Sequence, residues 1–421
     1  MSTDIKTLLG TTLKILSANV SAGASLTIVA LVAARALSID AFADFSVISA
    51  TALLISLVMD FGLGVAIIKR YATSQDPRYL SMFSTLRLLI FGTSIAIGAL
   101  LWMAGRPLWG CALTCGSGAN LWISMRTADQ AVQDYRTYLN SSLMITALRC
   151  VLGLVAMLTG SAETVAAAIY VVPTVLLAVL HRDRYLEFEW ASLPLVRKIS
   201  GYAAATYLSG LAFVTCLYVP QYFIALRFTP IDIGEYGLIL SLTGPLTLVT
   251  AALRAYLLPR FARGGAWLDQ FGGARRLLQL VVVVVLSVTV VVATVAYGLN
   301  CFYALRYPEI GARYLLFMFF FGISTMLALF NVRVHEAGIP GREAVVNAGR
   351  LLFLLGSLMA LAHSLWSTIW IVSVTITAFE VMLVFVVWSS TRKSGRAAGS
   401  PGATPLTDTP ESAPVARDAS S

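Results

Sequence analysis

The chain has 421 residues, of which 58% are hydrophobic and only 12% are charged. Ordinary soluble proteins carry roughly 45–50% apolar and about 25% charged residues, and no soluble core could hide this much apolar surface, so the composition excludes a soluble fold and points to lipid as the solvent. The formal net charge of +9 does not mark a nucleic-acid partner, because Lys and Arg fall singly or in pairs between apolar runs, the pattern of topology determinants.

Crossing roughly 30 Å of hydrocarbon takes about twenty helical residues. In chain order, runs of that kind predict spans near 15–36, 45–68, 80–104, 108–125, 138–159, 163–181, 199–225, 236–258, 277–298, 312–333, 344–363 and 366–389. The first follows Lys6 and Lys14 and ends at Ala34-Arg35-Ala36, which imitates a signal peptide. Its apolar stretch exceeds the roughly 7–15 residues of a signal core, and a second span follows at once, so it is read as a transmembrane helix. Gly116, Gly118 and Asn120 interrupt the fourth. Cys111, Cys115, Cys150, Cys216 and Cys301 lie mostly inside apolar runs without His or acidic companions, and read as small buried hydrophobes rather than metal ligands. From Ser394 the composition turns to Gly, Pro, Ser, Thr and Ala, which cannot bury enough apolar surface to offset ordering entropy and reads as a disordered tail over 394–421.

Loop charge sets the orientation. With the N-terminus inside, the inner loops hold Lys69, Arg70, Arg126, Arg182, Arg184, Arg197, Lys198, Arg260, Arg263, Arg275, Arg276, Arg392 and Lys393 among others, while the outer loops keep Arg35, Arg106, Arg227, Arg306 and Arg313. This bias places both termini in the cytoplasm. The halves also match: Ile39-Asp40 precedes Asp44-Phe45, and Ile231-Asp232 precedes Glu235-Tyr236, with Lys69 and Arg260 closing the two helices at equal separation. Two six-helix lobes are expected, over 1–190 and 195–390, related by a pseudo-twofold axis along the membrane normal.

The stretch Ala34–Phe45, the run Asp60-Phe61-Gly62-Leu63-Gly64 followed by Lys69-Arg70-Tyr71, Gly234-Glu235-Tyr236, Leu258-Pro259-Arg260 and Ala337-Gly338-Ile339-Pro340-Gly341 together resemble the motifs of Wzx-type polysaccharide and O-antigen flippases. These belong to the multidrug/oligosaccharidyl-lipid/polysaccharide exporter (MOP) superfamily. Asp44 and Ser38 stand where that family often has glycine. The resemblance spans roughly residues 10–390. It implies an all-α, MATE-like integral membrane fold of about twelve helices around a central cavity open alternately to each side. It also implies a cargo of undecaprenyl-pyrophosphate-linked oligosaccharide, moved to the periplasmic leaflet of a bacterial inner membrane. A polysaccharide polymerase and a chain-length regulator would be partners beside the membrane lipid. No cofactor is expected, and coupling to an H+ or Na+ gradient fits such a transporter.

Ionisable groups inside hydrocarbon cost roughly 2.5–3.5 kcal/mol each and call for a partner or a purpose. By depth, Asp60 and Arg87 can pair, as can Arg350 and Glu380, either as helix staples or within a ligand site. Arg149 sits halfway along the fifth span with no acid expected at its level; a guanidinium there suits phosphate oxygens, which it binds bidentately. Arg254, Arg35 and Lys69 are further cavity candidates, or else anchors and topology signals, and Asn19 puts an amide on the first helix. Gly62 and Gly64 could let the second span bend. No GxxxxGK[ST] segment is present, which excludes intrinsic ATP hydrolysis by that motif. A drug or cation antiporter of the same superfamily is the nearest alternative, although its cavity should be acidic. A membrane acyltransferase or polymerase is a remoter one, because His181, His335 and His363 all fall at predicted helix ends and lack a convincing acidic companion.

Overall fold

Helix caps written into the sequence set where the elements start. A computed structural model describes the backbone of residues 2–198, 200–244, 274–330 and 340–398, with most of their side chains from Lys14 onward, and every described element is helical. The first half contains α1 (Ser2–Ala36), α2 (Ile39–Val58), α3 (Leu63–Ser74), α4 (Arg78–Met103), α5 (Pro107–Ala131), α6 (Tyr135–Met157), α7 (Ala162–Tyr170), α8 (Val172–Leu180) and the short α9 (Arg182–Tyr185), followed by a 3-10 stretch at Trp190–Lys198. The second half contains α10 (Ser200–Arg227), α11 (Pro230–Ser241), α12 (Ala274–Tyr303), α13 (Ile310–Phe330), α14 (Pro340–Leu361) and α15 (Leu365–Ala398).

Ser38 accepts the Ala41 N–H and starts α2 at Ile39, six residues before the expected Phe45. Thr229 and Asp232 close a reciprocal capping box and start α11 at Pro230, ahead of the expected Tyr236. A side-chain acceptor placed where the first helical N–H groups lack partners fixes a start more firmly than apolar content does. At the other end of the chain, α15 runs through Ser394 to Ala398, past the expected start of the tail, because Arg396, Ala397 and Ala398 are strong helix formers. Residues 399–421 lie outside the described segments, as do Arg254 and residues 331–339.

Two predicted spans are broken rather than continuous. The second divides at Met59–Gly62, where Phe61 and Gly62 take positive φ values of 50° and 68°; glycine enters that region without a Cβ penalty, and phenylalanine does not. The sixth divides at Val171, two residues before Pro173, which has no N–H for the ladder and crowds the preceding turn. The fourth span does the opposite: Gly116, Gly118 and Asn120 do not interrupt it, and α5 extends unbroken to Ala131. Gly118 serves close packing there, since a Cβ on it would lie 2.6 Å from the Tyr170 carbonyl oxygen.

Nine helices among the described residues are long and apolar enough to cross a membrane. Helix α5 is not one of them. It packs on α2, α3, α4, α6, α7 and α8, so Ser117, Asn120, Ser124, Thr127 and Asp129 are buried against protein rather than lipid, where polar groups are tolerated. The largest apolar cluster joins both halves of the chain, from Phe42, Phe45 and Ile48 on α2 to Tyr236 and Ile239 on α11 and Phe317 on α13. The two segments matched in sequence, α2 and α11, pack against each other. At their contact a Cβ on Gly237 would meet the Ser46 side chain at 2.4 Å.

Candidate functional site: an arginine-lined central cavity

A cavity of about 310 Å³ lies among α1, α2, α5, α6, α7, α10 and α11. Most of its wall is apolar or aromatic, including Leu26, Phe45, Trp122 and Tyr218, with Ser46, Ser49 and Thr243 as hydroxyls. Its charged lining residues are Arg126 and Arg149, and no carboxylate lines it among the described residues. Both guanidinium groups flank one indole: Arg126 lies 5.6 Å and Arg149 5.9 Å from the Trp122 ring centroid, a distance at which the ring's negative face attracts a cation.

Arg149, on α6, is buried, and its Nε donates to the Ile169 carbonyl at 2.9 Å. Its other nitrogens have no hydrogen-bond partner among the described residues. Arg126 was expected in an inner loop, but the extension of α5 puts it on the cavity wall. Its Nη2 donates to Asn19 Oδ1 and Tyr138 Oη, and the Tyr138 ring centroid is 4.6 Å from the guanidinium carbon. Tyr138 in turn donates to Asn19 at 3.0 Å and accepts from Gln130 at 3.1 Å. Asn19 therefore reaches the site through Arg126 rather than as a wall residue.

The remaining candidates fall elsewhere. Arg35 is exposed at the end of α1, on the rim of a larger cavity of about 950 Å³ walled by apolar residues such as Val291, Leu299 and Met318 from α12 and α13. Thr27 lines both cavities and ties α1 to the Ser241 carbonyl at 2.9 Å. The Lys69 side chain and the whole of Arg254 lie outside the described residues. At the end of α1 expected to face outward, Arg306 Nη2 donates to the Leu37 carbonyl at 2.6 Å and Tyr303 Oη to the Leu31 carbonyl at 2.8 Å. The Arg306 donor satisfies a carbonyl past the helix end, where no intrahelical partner is available, and both donors join α1 to the end of α12.

The ion-pair candidates meet in two pairs away from the cavity wall. Arg87 Nη2 lies 2.6 Å from Asp60 Oδ1, and the same guanidinium donates to the Met59 and Asp60 carbonyls and to Asn120 Oδ1. Asn120 donates onward to the Ser56 carbonyl at 2.7 Å. Arg350 meets Glu380 at 2.8 Å, both buried, with Phe213 beneath the guanidinium. Two further pairings were not anticipated. Buried Asp129 accepts from Arg184 at 2.8 Å and Tyr185 at 2.9 Å, and buried Glu235 pairs with Arg313 at 2.6 Å. Asp134, in the turn after α5, accepts the Thr137 N–H, which holds its carboxyl below the usual range. Cys111 and Cys115 are both free and buried, and no three metal-ligating side chains gather among the described residues.

No family model and no curated protein sequence matches the chain. Solved structures do. A eukaryotic MATE transporter, AtDTX14, aligns with a TM-score of 0.52 at 15% identity over 93% of this chain and 99% of its own. The MATE multidrug transporter DinF-BH gives a TM-score of 0.59 at 11% identity over 91% of this chain and 95% of its own. A multidrug resistance MATE family transporter of the MOP superfamily, in an outward-facing conformation, gives 0.52 at 13% identity over 93% and 97%. The fold is the MATE fold. Within that MATE fold, this chain commits two arginines and an indole to the cavity between its halves. A Trp-x-x-x-Arg spacing, which puts Trp122 and Arg126 on one helix face, was the signal that could have found Arg126.

Proposed function

We propose that this chain is a membrane transporter for an anionic, lipid-linked cargo: an oligosaccharide on undecaprenyl pyrophosphate, moved from the cytoplasmic to the periplasmic leaflet of a bacterial inner membrane. The observation that carries the reading is the pair of cavity arginines with no carboxylate among the described lining residues. A desolvated guanidinium without a counter-charge is costly, and a pyrophosphate supplies both the charge and the paired acceptors that its planar fork fits. The serine and threonine hydroxyls and the aromatic faces of the same wall suit sugar rings. The solved structures that share this fold are described as MATE transporters, two of those reported above as multidrug ones, which favours transport over catalysis. For a cationic drug, however, this wall has the wrong sign. A downstream polymerase and chain-length regulator, or an H+ or Na+ gradient, would draw the flux.

The test is leaflet transfer of a fluorescent undecaprenyl-pyrophosphate oligosaccharide in vesicles containing the purified protein. Transfer that Arg126→Ala and Arg149→Ala each abolish at normal protein level supports the reading. Proton- or sodium-driven efflux of cationic dyes without lipid transfer would replace it with the antiporter reading.

A further inference from the structure

The bond between Arg149 Nε and the Ile169 carbonyl has a cause in the sequence. In a continuous helix that carbonyl would accept the N–H four residues on, and the residue there is Pro173, which has none. Helix α7 ends at Tyr170 and α8 begins at Val172, so the break sits at this missing rung. Two carbonyls before the break take side-chain donors instead: Ile169 from Arg149 at 2.9 Å, and Tyr170 from Thr174 Oγ1 at 3.1 Å. A buried carbonyl must find a donor. Arg149 comes from another helix, lines the cavity beside Ile169, and has no other hydrogen-bond partner among the described residues.

We infer that Pro173 is a positioning residue for Arg149: it withholds one backbone N–H so that a cavity carbonyl anchors the guanidinium by Nε and leaves the terminal nitrogens for an anion. The anion-binding half of this statement rests on the transport reading above; the anchoring half does not. Restoring the N–H with Pro173→Ala gives Ile169 an internal partner and releases Arg149 from its anchor. Removing an interior proline also relieves the helix, so the variant gains or keeps stability while losing the site. A proline with a purely structural role would show the reverse.

Two double-mutant cycles on the full-length protein in detergent test this. The first reads melting temperature. Arg149→Ala lowers it in the native background, where the Ile169 carbonyl is left without a donor, and lowers it much less in the Pro173→Ala background. Equal losses in both backgrounds overturn the inference, whatever the cargo. The second reads inorganic pyrophosphate affinity by calorimetry. Pro173→Ala weakens it about tenfold, equivalent to about 1.4 kcal/mol, and adds nothing when Arg149→Lys is already present. Thr174→Val, which removes only the neighbouring carbonyl's donor, leaves affinity unchanged. A loss with Thr174→Val equal to that with Pro173→Ala, or an undiminished loss in the Arg149→Lys background, overturns the positioning role. If the unaltered protein fails to bind pyrophosphate, the cargo reading falls and the melting cycle still decides the anchor.

Discussion

The second and sixth spans are both broken, and in both an arginine from a neighbouring helix fills the gap, yet the two arginines end in opposite circumstances. At the first break Arg87 meets the Met59 and Asp60 carbonyls, Asn120 and the Asp60 carboxylate. Its charge is matched and most of its donors are used. At the second break Arg149 meets one carbonyl and no carboxylate, and it lines a cavity. The contrast shows that a buried arginine in a membrane protein is classified by its unfilled donors and missing counter-charge, not by its depth. Arg87 holds a helix together. Arg149 keeps donors and charge unmatched.

The largest expected effect sharpens this contrast directly. Arg87→Ala strands the Asp60 carboxylate and the Met59 carbonyl at a helix break, and should cost about 3–5 kcal/mol, as breaking a buried pair does. Arg149→Ala strands a single carbonyl, for at most about 1–3 kcal/mol, because removing an unmatched buried charge offsets part of that loss. Thermal unfolding in detergent, with protein level in the membrane as a second readout, should rank them in that order. Equal losses would dissolve the distinction between the two breaks. Transport should rank the other way among variants that still insert: Arg149→Lys keeps the charge but loses the planar fork, so lipid transfer should fall by about tenfold or more at near-normal stability, whereas a lysine retaining full transport would make Arg149 a mere charge. Comparable to the loss from Arg149→Ala is that from Gly118→Ala, which sets a methyl group 2.6 Å from the Tyr170 carbonyl. It should push α5 off the second break and cost about 1–3 kcal/mol, and a neutral outcome would mean that α7 yields there freely.

Much of this was legible in the sequence because lipid imposes a simple rule. A span must be long, apolar and helical, and each predicted run within the described residues is mostly helix, two of them broken. The break at Gly62 was legible as a bend, whereas the one before Pro173 was not read, although proline withholds the N–H that a continuous helix needs there. What escaped were side chains whose position depends on how far a helix continues. Asp129 and Arg126 sit beyond the predicted end of the fourth span at 125, and were read as loop because apolar content falls there; in fact α5 stays helical, sheltered by six neighbouring helices. Glu235 and Arg313 looked like outer-loop charges, because nothing in a linear sequence shows that the starts of α11 and α13 meet. Arg35, read from its place at the end of the first span as a cavity candidate or else an anchor or topology signal, lies exposed on the rim of the larger apolar cavity.

The finest test concerns how Arg126 is held. Its Nη2 is bonded to both Asn19 and Tyr138, and the Tyr138 hydroxyl is also bonded to Asn19 and Gln130. If this cluster presents the guanidinium to the cavity as the Ile169 carbonyl presents Arg149, then Tyr138→Phe should weaken pyrophosphate binding by a few-fold. The ring face that holds the cation by π attraction survives the substitution, so the loss should stay well short of that from Arg126→Ala. Stability should drop by about 0.5–1.5 kcal/mol, the usual net worth of a hydrogen bond. Suppose instead that Arg126 must leave Tyr138 and Asn19 to reach the cargo. Removing the hydroxyl would then remove a competitor, and affinity would rise. Titrating pyrophosphate into the variant and the unaltered protein separates the two, and a tighter site in Tyr138→Phe would recast Asn19 and Tyr138 as a latch on Arg126 rather than a cradle for it.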